Sequence, residues 1–274
     1  MAYYENLFKK TESLAQKVSF YSSQIPYRES ENENSPLQSL YITGYSFAYG
    51  VGLEKDETLS ARLGQLIKNP ICNKAFQSWG LNHAVFLAEN DILLKDNLKD
   101  PLAVFFLYDD SQNIRMFIPN VFFEHDEILY KIKGDKLIPR KNIFNFQSSR
   151  FPLIYTINEK LFFRFTTSQF FEKSIEKMLF FHLKTLGNDI NKKYPTTKLV
   201  ILEYSPSQTL KNISDDLAKE NIQILSFQDD LKLNLNQEQY YIPNDGHPNK
   251  QVWEIVTPKL IKELKKRNID ITEK

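Results

Sequence analysis

Short apolar runs alternate with amphipathic stretches along most of the chain. Uninterrupted apolar runs such as 102–107 are typical of strands buried on both faces of a sheet. The pattern predicts strands at 39–43, 71–76, 102–107, 198–203 and 222–226, and helices at 56–68 (with Asp56 as N-cap), 81–94, 169–192, 210–219 and 250–266. Because helices separate the strands, we predict a three-layer α/β/α sandwich around a mostly parallel, flavodoxin-like sheet.

Residues 115–166 interrupt this alternation. They are rich in Phe, Ile and Lys, and 133–136 (Lys-Gly-Asp-Lys) are typical of a hairpin turn between short strands. We interpret the segment as a β-containing lobe inserted into the sandwich. The pattern of residues 1–38 predicts an N-terminal helical segment followed by a polar linker. We therefore expect the α/β domain, with its inserted lobe, to cover residues 39–274.

The charges of the chain are nearly balanced. Its 35 basic and 34 acidic side chains leave a formal net charge of +1 over 274 residues. Such a chain has no long-range attraction for nucleic acid or anionic lipid, and we expect no nucleic-acid partner. Hydrophobic residues make up 42 % of the sequence, which suffices for a large buried core.

Two features bear on the cellular context. Cys72 is the single cysteine and lies in an apolar run, so we expect a buried, reduced thiol. No stretch reaches the roughly 18 uninterrupted apolar residues of a membrane span. Residues 1–10 also lack the basic-then-apolar pattern of a signal peptide. As given, the sequence predicts a cytoplasmic protein, or an extracytoplasmic one if a leader or anchor has been removed.

The candidate chemistry begins directly after the first strand, in the glycine-rich residues 44–52. Ligands of such sheets bind outside the carboxyl ends of the strands. A serine in a turn at that edge has an exposed hydroxyl and a closely approaching backbone, which makes Ser46 a candidate nucleophile. The alternative interpretation is an ordinary strand-to-helix loop.

A second candidate segment, 244–249 (Asn-Asp-Gly-His-Pro-Asn), immediately precedes the last predicted helix. Asp245 and His247 can project into one cleft, with the carboxylate on one ring nitrogen and the other nitrogen facing a nucleophile. The alternative is a helix cap formed by Asp245 or Asn249. The two interpretations are compatible.

Taken together, four segments resemble the sequence blocks of the SGNH (GDSL-type) hydrolase superfamily. Residues 44–46 resemble its Gly-Asp-Ser block, and 245–249 resemble its C-terminal block in the Asp-Gly-His-Pro-Asn form common among bacterial SGNH hydrolases. Residues 73–80 and 105–110 are similar to the second and third blocks and follow in the same order. The resemblance covers two parts of the chain, about 39–110 and 197–267.

The resemblance implies a catalytic triad and an activity. Ser46 would be the nucleophile, His247 the general base and Asp245 its orienting acid, with the backbone N–H groups of Ser46 and Ser78 binding the oxyanion. The implied reaction is ester hydrolysis through an acyl-enzyme, on small acyl groups such as acetyl groups of carbohydrates, without a cofactor or a metal. The nearest variant is a polysaccharide O-acetyltransferase with the same triad.

This sequence departs from the pattern of the family at three positions. Tyr45 stands where the first block has Asp, and Ser78 replaces a glycine without removing the backbone N–H. Asp109 replaces the asparagine whose amide donates to the oxyanion, and an ionised carboxylate cannot donate. These departures motivate a rival hypothesis, in which the domain is a catalytically impaired glycan-binding module.

Two arrangements would restore the missing donor. A protonated Asp109 beside Asp110 could donate, because adjacent carboxylates raise one pKa. Alternatively, Gln112 or Asn113 supplies an amide from the same loop. The sequence leaves both open.

The remaining candidates have weaker support. Trp79, next to Ser78, is a candidate for stacking on a sugar ring, or a core aromatic. His83 is expected to be partly exposed on its helix, and His182 to be half-buried packing. His125 has no partner at a metal-like spacing, so we predict no metal site.

Overall fold

The computed structural model describes residues 31–76, 79–94, 100–117, 129–140 and 169–274. The predicted N-terminal helical segment and most of the inserted lobe lie outside these residues. Ser78 and His125 lie outside them as well.

The strands of the described residues form two sheets. They are β1 (Ser39–Gly44), β2 (Ile71–Asn73), β3 (Pro101–Tyr108), β4 (Leu129–Lys133), β5 (Lys136–Arg140), β6 (Lys198–Glu203) and β7 (Ile222–Ser226). Five of them form one parallel sheet in the order β2-β1-β3-β6-β7, which confirms the flavodoxin-like prediction. The other two, β4 and β5, form the predicted antiparallel hairpin, in which Lys133 pairs with Lys136.

Helices cover both faces of the parallel sheet. In the described residues they are α1 (Ser46–Tyr49), α2 (Leu59–Leu66), α3 (Leu81–Glu89), α4 (Gln169–Lys193), α5 (Gln208–Asn212), α6 (Ser214–Lys219) and α7 (Lys250–Lys266). Short 3-10 helices lie at Lys55–Glu57, Asp110–Met116 and Glu238–Tyr240. Of the helices described, none has the length and hydropathy needed to cross a membrane.

Alternate residues of the central strands face two separate hydrophobic layers. Along β3, Val104 and Phe106 pack with α3 and α4, whereas Phe105 and Leu107 pack with α2 and α7. All four side chains are fully buried. Because successive side chains of a strand point to opposite faces, one uninterrupted apolar run supplies both layers. Each buried side chain of this size contributes about 1.5–3 kcal/mol.

The first predicted helix begins later than expected. Asp56 lies in the 3-10 helix instead of capping α2, so its prediction as N-cap is wrong. Thr58 is the N-cap, and its hydroxyl accepts from the backbone N–H of Ala61 at 3.3 Å. The Thr58 side chain therefore sets where α2 starts.

Two other helices also differ from the prediction. The helix starting at Leu81 ends at Glu89, because Asp91 adopts a left-handed conformation that turns the chain. The predicted helix 210–219 is divided into α5 and α6. At the division, Ser214 Oγ donates to the backbone carbonyl of Lys211 at 2.8 Å, a bond that competes with regular helix.

Candidate active site

The predicted site residues converge on one edge of the sheet. Ser46 follows β1 and Asp109 follows β3. Ser205, which the sequence did not predict as a site residue, follows β6, so all three lie at the carboxyl ends of neighbouring parallel strands. The loop that carries His247 lies between β7 and α7. This is the edge where sheets of this topology bind ligands.

A glycine positions Ser46 after β1. Gly44 has φ +138°, which side-chain-bearing residues rarely adopt, and a Cβ built on it would lie 3.0 Å from the carbonyl oxygen of Leu107. β1 can therefore run close to β3 and still turn sharply outward. Ser46 is then the first residue of α1 and is partly exposed.

Asp245 and His247 form a hydrogen-bonded pair. The Asp245 Oδ1 to His247 Nδ1 distance is 2.9 Å, and the side chains are 42 % and 22 % exposed. A backbone hydrogen bond closes the loop that carries this pair: the N–H of Ile242 donates to the carbonyl of His247 at 2.8 Å. Asn249 caps α7 by accepting from the Gln251 N–H at 3.0 Å. The segment thus contains both the pair and a helix cap, and the cap is Asn249.

The loop after β1 contacts the loop that carries this pair. The ring of Phe47 packs edge-on against the His247 imidazole, with centroids 5.6 Å apart. A Cβ built on Gly52 would lie 2.5 Å from Ile242 Cδ1 and 3.6 Å from Asp245 Oδ2. The nucleophile candidate and the histidine pair therefore lie on touching loops.

No hydrogen bond joins the hydroxyl of Ser46 to His247 among the described residues. Such bonds are often long in unliganded sites and tighten only with substrate. The pairing of these two side chains stays a prediction.

Both oxygens of Asp109 accept hydrogen bonds. Oδ1 accepts from the Ser111 N–H at 3.0 Å, and Oδ2 accepts from the Ser205 hydroxyl. These two bonds do not show a donor directed toward an oxyanion.

The amides of Gln112 and Asn113 are used within their own loop. Gln112 Nε2 donates to the Ser111 hydroxyl at 3.3 Å, and Asn113 Nδ2 donates to Asp110 Oδ1 at 3.1 Å. Both side chains are buried. The same Asp110 oxygen lies 2.7 Å from the Tyr108 hydroxyl. The loop therefore uses both amide nitrogens internally, whereas the side-chain oxygen of Gln112 is buried without a hydrogen-bond partner in the described residues.

Tyr45 fills the core beneath the site. Its side chain is 1 % exposed and its ring packs against Phe47, with centroids 4.8 Å apart. Burial raises the pKa of the Tyr45 hydroxyl well above its usual value, and the nearby Asp109 carboxylate raises it further. The hydroxyl stays protonated and has no hydrogen-bond partner in the described residues. A neutral donor thus stands where the family has an acidic side chain.

The end of the second block is tightly packed. Trp79 is 4 % exposed, and its ring stacks on His83 with a centroid distance of 5.4 Å and an interplanar angle of 4°. This burial favours the core interpretation of Trp79 over sugar stacking. His83 is buried, so the expectation of partial exposure is wrong; its Nδ1 accepts the N–H of Gly80 at 3.2 Å.

His182 is more deeply placed than the sequence indicated. It is fully buried on α4 instead of half-buried, and burial lowers its pKa from 6.5 to about 4. In the described residues, no three His, Cys, Asp or Glu side chains are close enough to hold a metal ion.

Three solved structures share this architecture. A structure described as TesA aligns with 84 % of this chain and 99 % of its own, at 9 % identity and a TM-score of 0.50. The acetyl xylan esterase Est2A of the rumen bacterium Butyrivibrio proteoclasticus aligns with 84 % of this chain and 64 % of its own, at 10 % identity and 0.50. A carbohydrate esterase aligns with 84 % and 65 %, at 9 % identity and 0.50.

No family model and no curated protein matches the sequence. At these identities the structural likeness establishes the fold. The chain has the fold of the SGNH (GDSL-type) hydrolases, as its four sequence blocks predicted. Phe47 and Gly52 form the contacts between the two loops of the site. The sequence did not predict these contacts, because no local pattern indicates partners that lie about 200 residues further along the chain.

Proposed function

We propose that this protein is a serine esterase that removes a small acyl group by an acyl-enzyme mechanism. The observation that carries the proposal is the 2.9 Å hydrogen bond between Asp245 and His247 Nδ1, on a loop that touches the loop of Ser46. A carboxylate on Nδ1 fixes the imidazole tautomer and leaves Nε2 as a base. Ser46 is the hydroxyl that the order of the sequence blocks offers to that base.

In the proposed reaction, Ser46 Oγ attacks the ester carbonyl while His247 Nε2 takes its proton. Backbone N–H groups, including that of Ser46, stabilise the oxyanion. The tetrahedral intermediate collapses, and the leaving alkoxide takes the proton from His247. Water then attacks the acyl-enzyme carbonyl while His247 Nε2 takes its proton. The bond between the acyl carbon and Ser46 Oγ breaks, His247 returns the proton to Ser46 Oγ, and the acid is released.

The proposed substrates are small acyl esters, with acetylated carbohydrates as the first class to test. The resemblance of the sequence blocks implies this class. The acetyl xylan esterase that shares the fold is consistent with it, although at 10 % identity it supports the fold and not the substrate.

The test measures turnover of p-nitrophenyl acetate and covalent labelling by a fluorophosphonate. Wild type is expected to hydrolyse the ester and to gain one label, whereas Ser46→Ala is expected to do neither. Asp245→Asn should lower kcat by about 10²-fold. This loss is smaller than the one expected for a buried orienting aspartate, because the Asp245 side chain is 42 % exposed. Equal turnover by wild type and Ser46→Ala would contradict the proposal.

The hydrogen bonds of Asp109 favour a second candidate, a catalytically impaired glycan-binding module. Its two side-chain oxygens are engaged by the Ser111 N–H and the Ser205 hydroxyl, and neither contact presents a donor to an oxyanion. The carbohydrate esterase mentioned above is itself described as having divergent catalytic and non-catalytic binding functions. Binding of acetylated xylan without turnover or labelling would support this candidate. An O-acetyltransferase would instead label at Ser46, hydrolyse slowly, and turn over only when a sugar acceptor is added.

A further inference from the structure

Ser46 lies on a helix that is too short to hold its own position. α1 has four residues, and its N-cap, Tyr45, makes no capping hydrogen bond with its side chain. Two regular helical bonds close the turn, from the Tyr49 N–H to the Tyr45 carbonyl and from the Gly50 N–H to the Ser46 carbonyl, both at 2.9 Å. A single turn of helix is not stable alone, because fixing its backbone costs more than so few bonds contribute. The position of Ser46 therefore depends on contacts between α1 and the rest of the fold.

The side chain of Asn73 makes such a contact at the C-terminal end of α1. Asn73 is the last residue of β2 and is fully buried. Its Nδ2 donates to the backbone carbonyl of Ala48 at 2.9 Å and to the hydroxyl of Ser60, on α2, at 3.1 Å. The Ala48 carbonyl is one of those that a helix leaves without an internal partner at its C-terminal end. One amide group therefore joins α1 to both β2 and α2.

The orientation of this amide is fixed by its partners. Asn73 Oδ1 accepts the backbone N–H of Ala75 at 3.0 Å. A carbonyl cannot donate and a backbone N–H cannot accept, so Ala48 and Ala75 together allow the Asn73 amide a single orientation. These hydrogen bonds are buried, where water does not compete for the donors and acceptors.

The segment around Asn73 holds the chain on both sides of Ser46. The Phe76 N–H donates to the Gly44 carbonyl at 3.3 Å, two residues before Ser46. The Asn73 amide holds the Ala48 carbonyl, two residues after Ser46. The contact with Gly44 is made by the backbone, whereas the contact with Ala48 is made by a side chain. A substitution at Asn73 can therefore release one end of α1 while the pairing of β1 with β2 remains.

We infer that Asn73 is a positioning residue, which holds α1 through the Ala48 carbonyl and thereby fixes the place of the Ser46 hydroxyl. The inference rests on the proposed function, and it assigns Asn73 no contact with the substrate. α1 also carries Phe47, whose ring contacts the His247 imidazole, so a shift of α1 affects both parts of the site. A misplacement of about 1 Å at a catalytic group can reduce the rate about 10²-fold, so a small shift of α1 is sufficient.

Asn69 offers a matched control at the other end of β2. It is 2 % exposed, against 0 % for Asn73. Its Nδ2 donates to the backbone carbonyl of Gln38 at 3.0 Å, and its Oδ1 accepts the backbone N–H of Thr272 at 2.9 Å. Both asparagines are thus buried and bonded to backbone groups through both ends of the amide. Asn69, however, lies at the amino end of the parallel strands, opposite to Ser46.

The experiment compares Asn73→Ala and Asn73→Asp with Asn69→Ala and Asn69→Asp. Aspartate keeps an oxygen for the neighbouring N–H but loses the amide donor, and alanine loses both groups. We expect each Asn73 variant to lower kcat for p-nitrophenyl acetate by about 10- to 10²-fold with little change in KM. The rate constant for fluorophosphonate labelling should fall by a similar factor, because it reports the reactivity of Ser46 without the deacylation step. Both Asn69 variants should keep the wild-type kcat and labelling rate.

Thermal unfolding of all four variants separates positioning from a general structural role. Rates are measured well below the lowest Tm, so that every variant is folded. The two sets should lose Tm to a similar extent, whereas the loss of kcat should be confined to Asn73. Wild-type kcat and labelling in the folded Asn73 variants overturn the inference. An equal loss of kcat in Asn69 and Asn73 variants of similar Tm overturns it as well, because activity would then follow stability.

The result also separates this inference from the proposed function. An active, labelled wild type with insensitive Asn73 variants refutes the positioning role alone. A wild type without turnover or label refutes the proposed function, and the positioning role with it. If one Asn73 variant does not fold, the other carries the comparison with its Asn69 counterpart, and wild-type kcat in that variant counts against the inference.

Discussion

The ring of Phe47 packs edge-on against the imidazole of His247, with the two centroids 5.6 Å apart. The same ring also packs edge-on against Tyr204, with the two centroids 5.1 Å apart, so a second aromatic contact holds Phe47 in position. Edge-to-face contacts of this kind favour a defined ring orientation. The residue next to the candidate nucleophile thus fixes the plane of the candidate base.

Replacing Phe47 tests this relationship. Phe47→Ala should lower kcat by about 10-fold, because the imidazole is free to rotate away from Ser46. Phe47→Leu, which keeps most of the contact, is the control and should lose less. Steady-state kinetics with p-nitrophenyl acetate measures both variants. An alanine variant with wild-type kcat would show that Asp245 alone orients the imidazole.

Asp109→Asn tests the missing donor. The side-chain oxygen of asparagine can still accept from the Ser111 N–H, and its amide nitrogen can donate to the Ser205 hydroxyl. Both contacts of the Asp109 side chain can therefore be retained in the variant. Under the proposed function, the variant replaces the carboxylate with an amide that can donate to the oxyanion. Esterase activity should rise by up to about 10²-fold, the effect of one oxyanion donor.

The control for this gain is Asp110→Asn. It removes an equal charge from the neighbouring residue, whose carboxylate accepts hydrogen bonds from Tyr108, Ser207 and Asn113. It should give no gain in kcat. If Asp109→Asn changes neither the rate nor its pH dependence, the carboxylate lies outside the oxyanion site, and the donor has to be sought at Gln112 or Asn113.

The parts of the fold that follow from local chemistry were predictable from the sequence. The apolar runs predicted the five parallel strands, because a strand covered by helices on both sides is apolar at most positions. The pairing of Asp245 with His247 was also predictable, since the two residues are neighbours in the chain. The start of α2 at Thr58 was not, because Asp56 is an equally good cap by type and only the backbone geometry chooses between them.

The contacts that complete the site are non-local and left no signal. Asn73 meets Ala48 across 25 residues, and Phe47 meets His247 across 200. Neither residue is one of the motif positions to which the resemblance assigns a role. A single sequence shows which residues can act chemically, whereas the side chains that hold them are determined by packing of distant segments.

Gly52→Ala tests the contact between the two loops. Gly52 has φ +76°, and an added Cβ would overlap Ile242 Cδ1 at 2.5 Å, so either the Ile242 side chain or the loop that carries it and Asp245 must shift. We expect kcat to fall together with stability. Gly134→Ala is the matched control, because Gly134 also has a positive φ (+63°) but nothing lies within 4 Å of its added Cβ.

The two glycine variants should share the backbone cost of a positive φ, of order 1 kcal/mol, and differ in activity. Urea unfolding measures the stability of each variant, and p-nitrophenyl acetate measures its kcat. If Gly134→Ala and Gly52→Ala both keep wild-type kcat, the loops tolerate separation and their contact is not needed for catalysis.

His182 gives the fold a predictable response to acid. The imidazole is fully buried, its Nδ1 bonds to the Met178 carbonyl at 2.8 Å, and its ring packs edge-on against Tyr130. Burial lowers its pKa from 6.5 to about 4 in the folded protein, whereas the unfolded chain keeps a value near 6.5. Between these two values the unfolded state binds a proton that the folded state does not. Stability is therefore unaffected above the unfolded pKa and falls as the pH drops from about 6.5 toward 4.

His182→Phe keeps a ring in this position and removes the titration. In wild type, about 2–3 kcal/mol of the free energy of unfolding should be lost through this histidine between pH 7 and pH 4.5. The variant should lose that much less over the same range, while other titrating groups affect both proteins alike. Urea unfolding at the two pH values gives the four free energies. Parallel losses in wild type and variant would mean that the His182 imidazole accepts its proton without unfolding, and that burial at this position does not exclude charge.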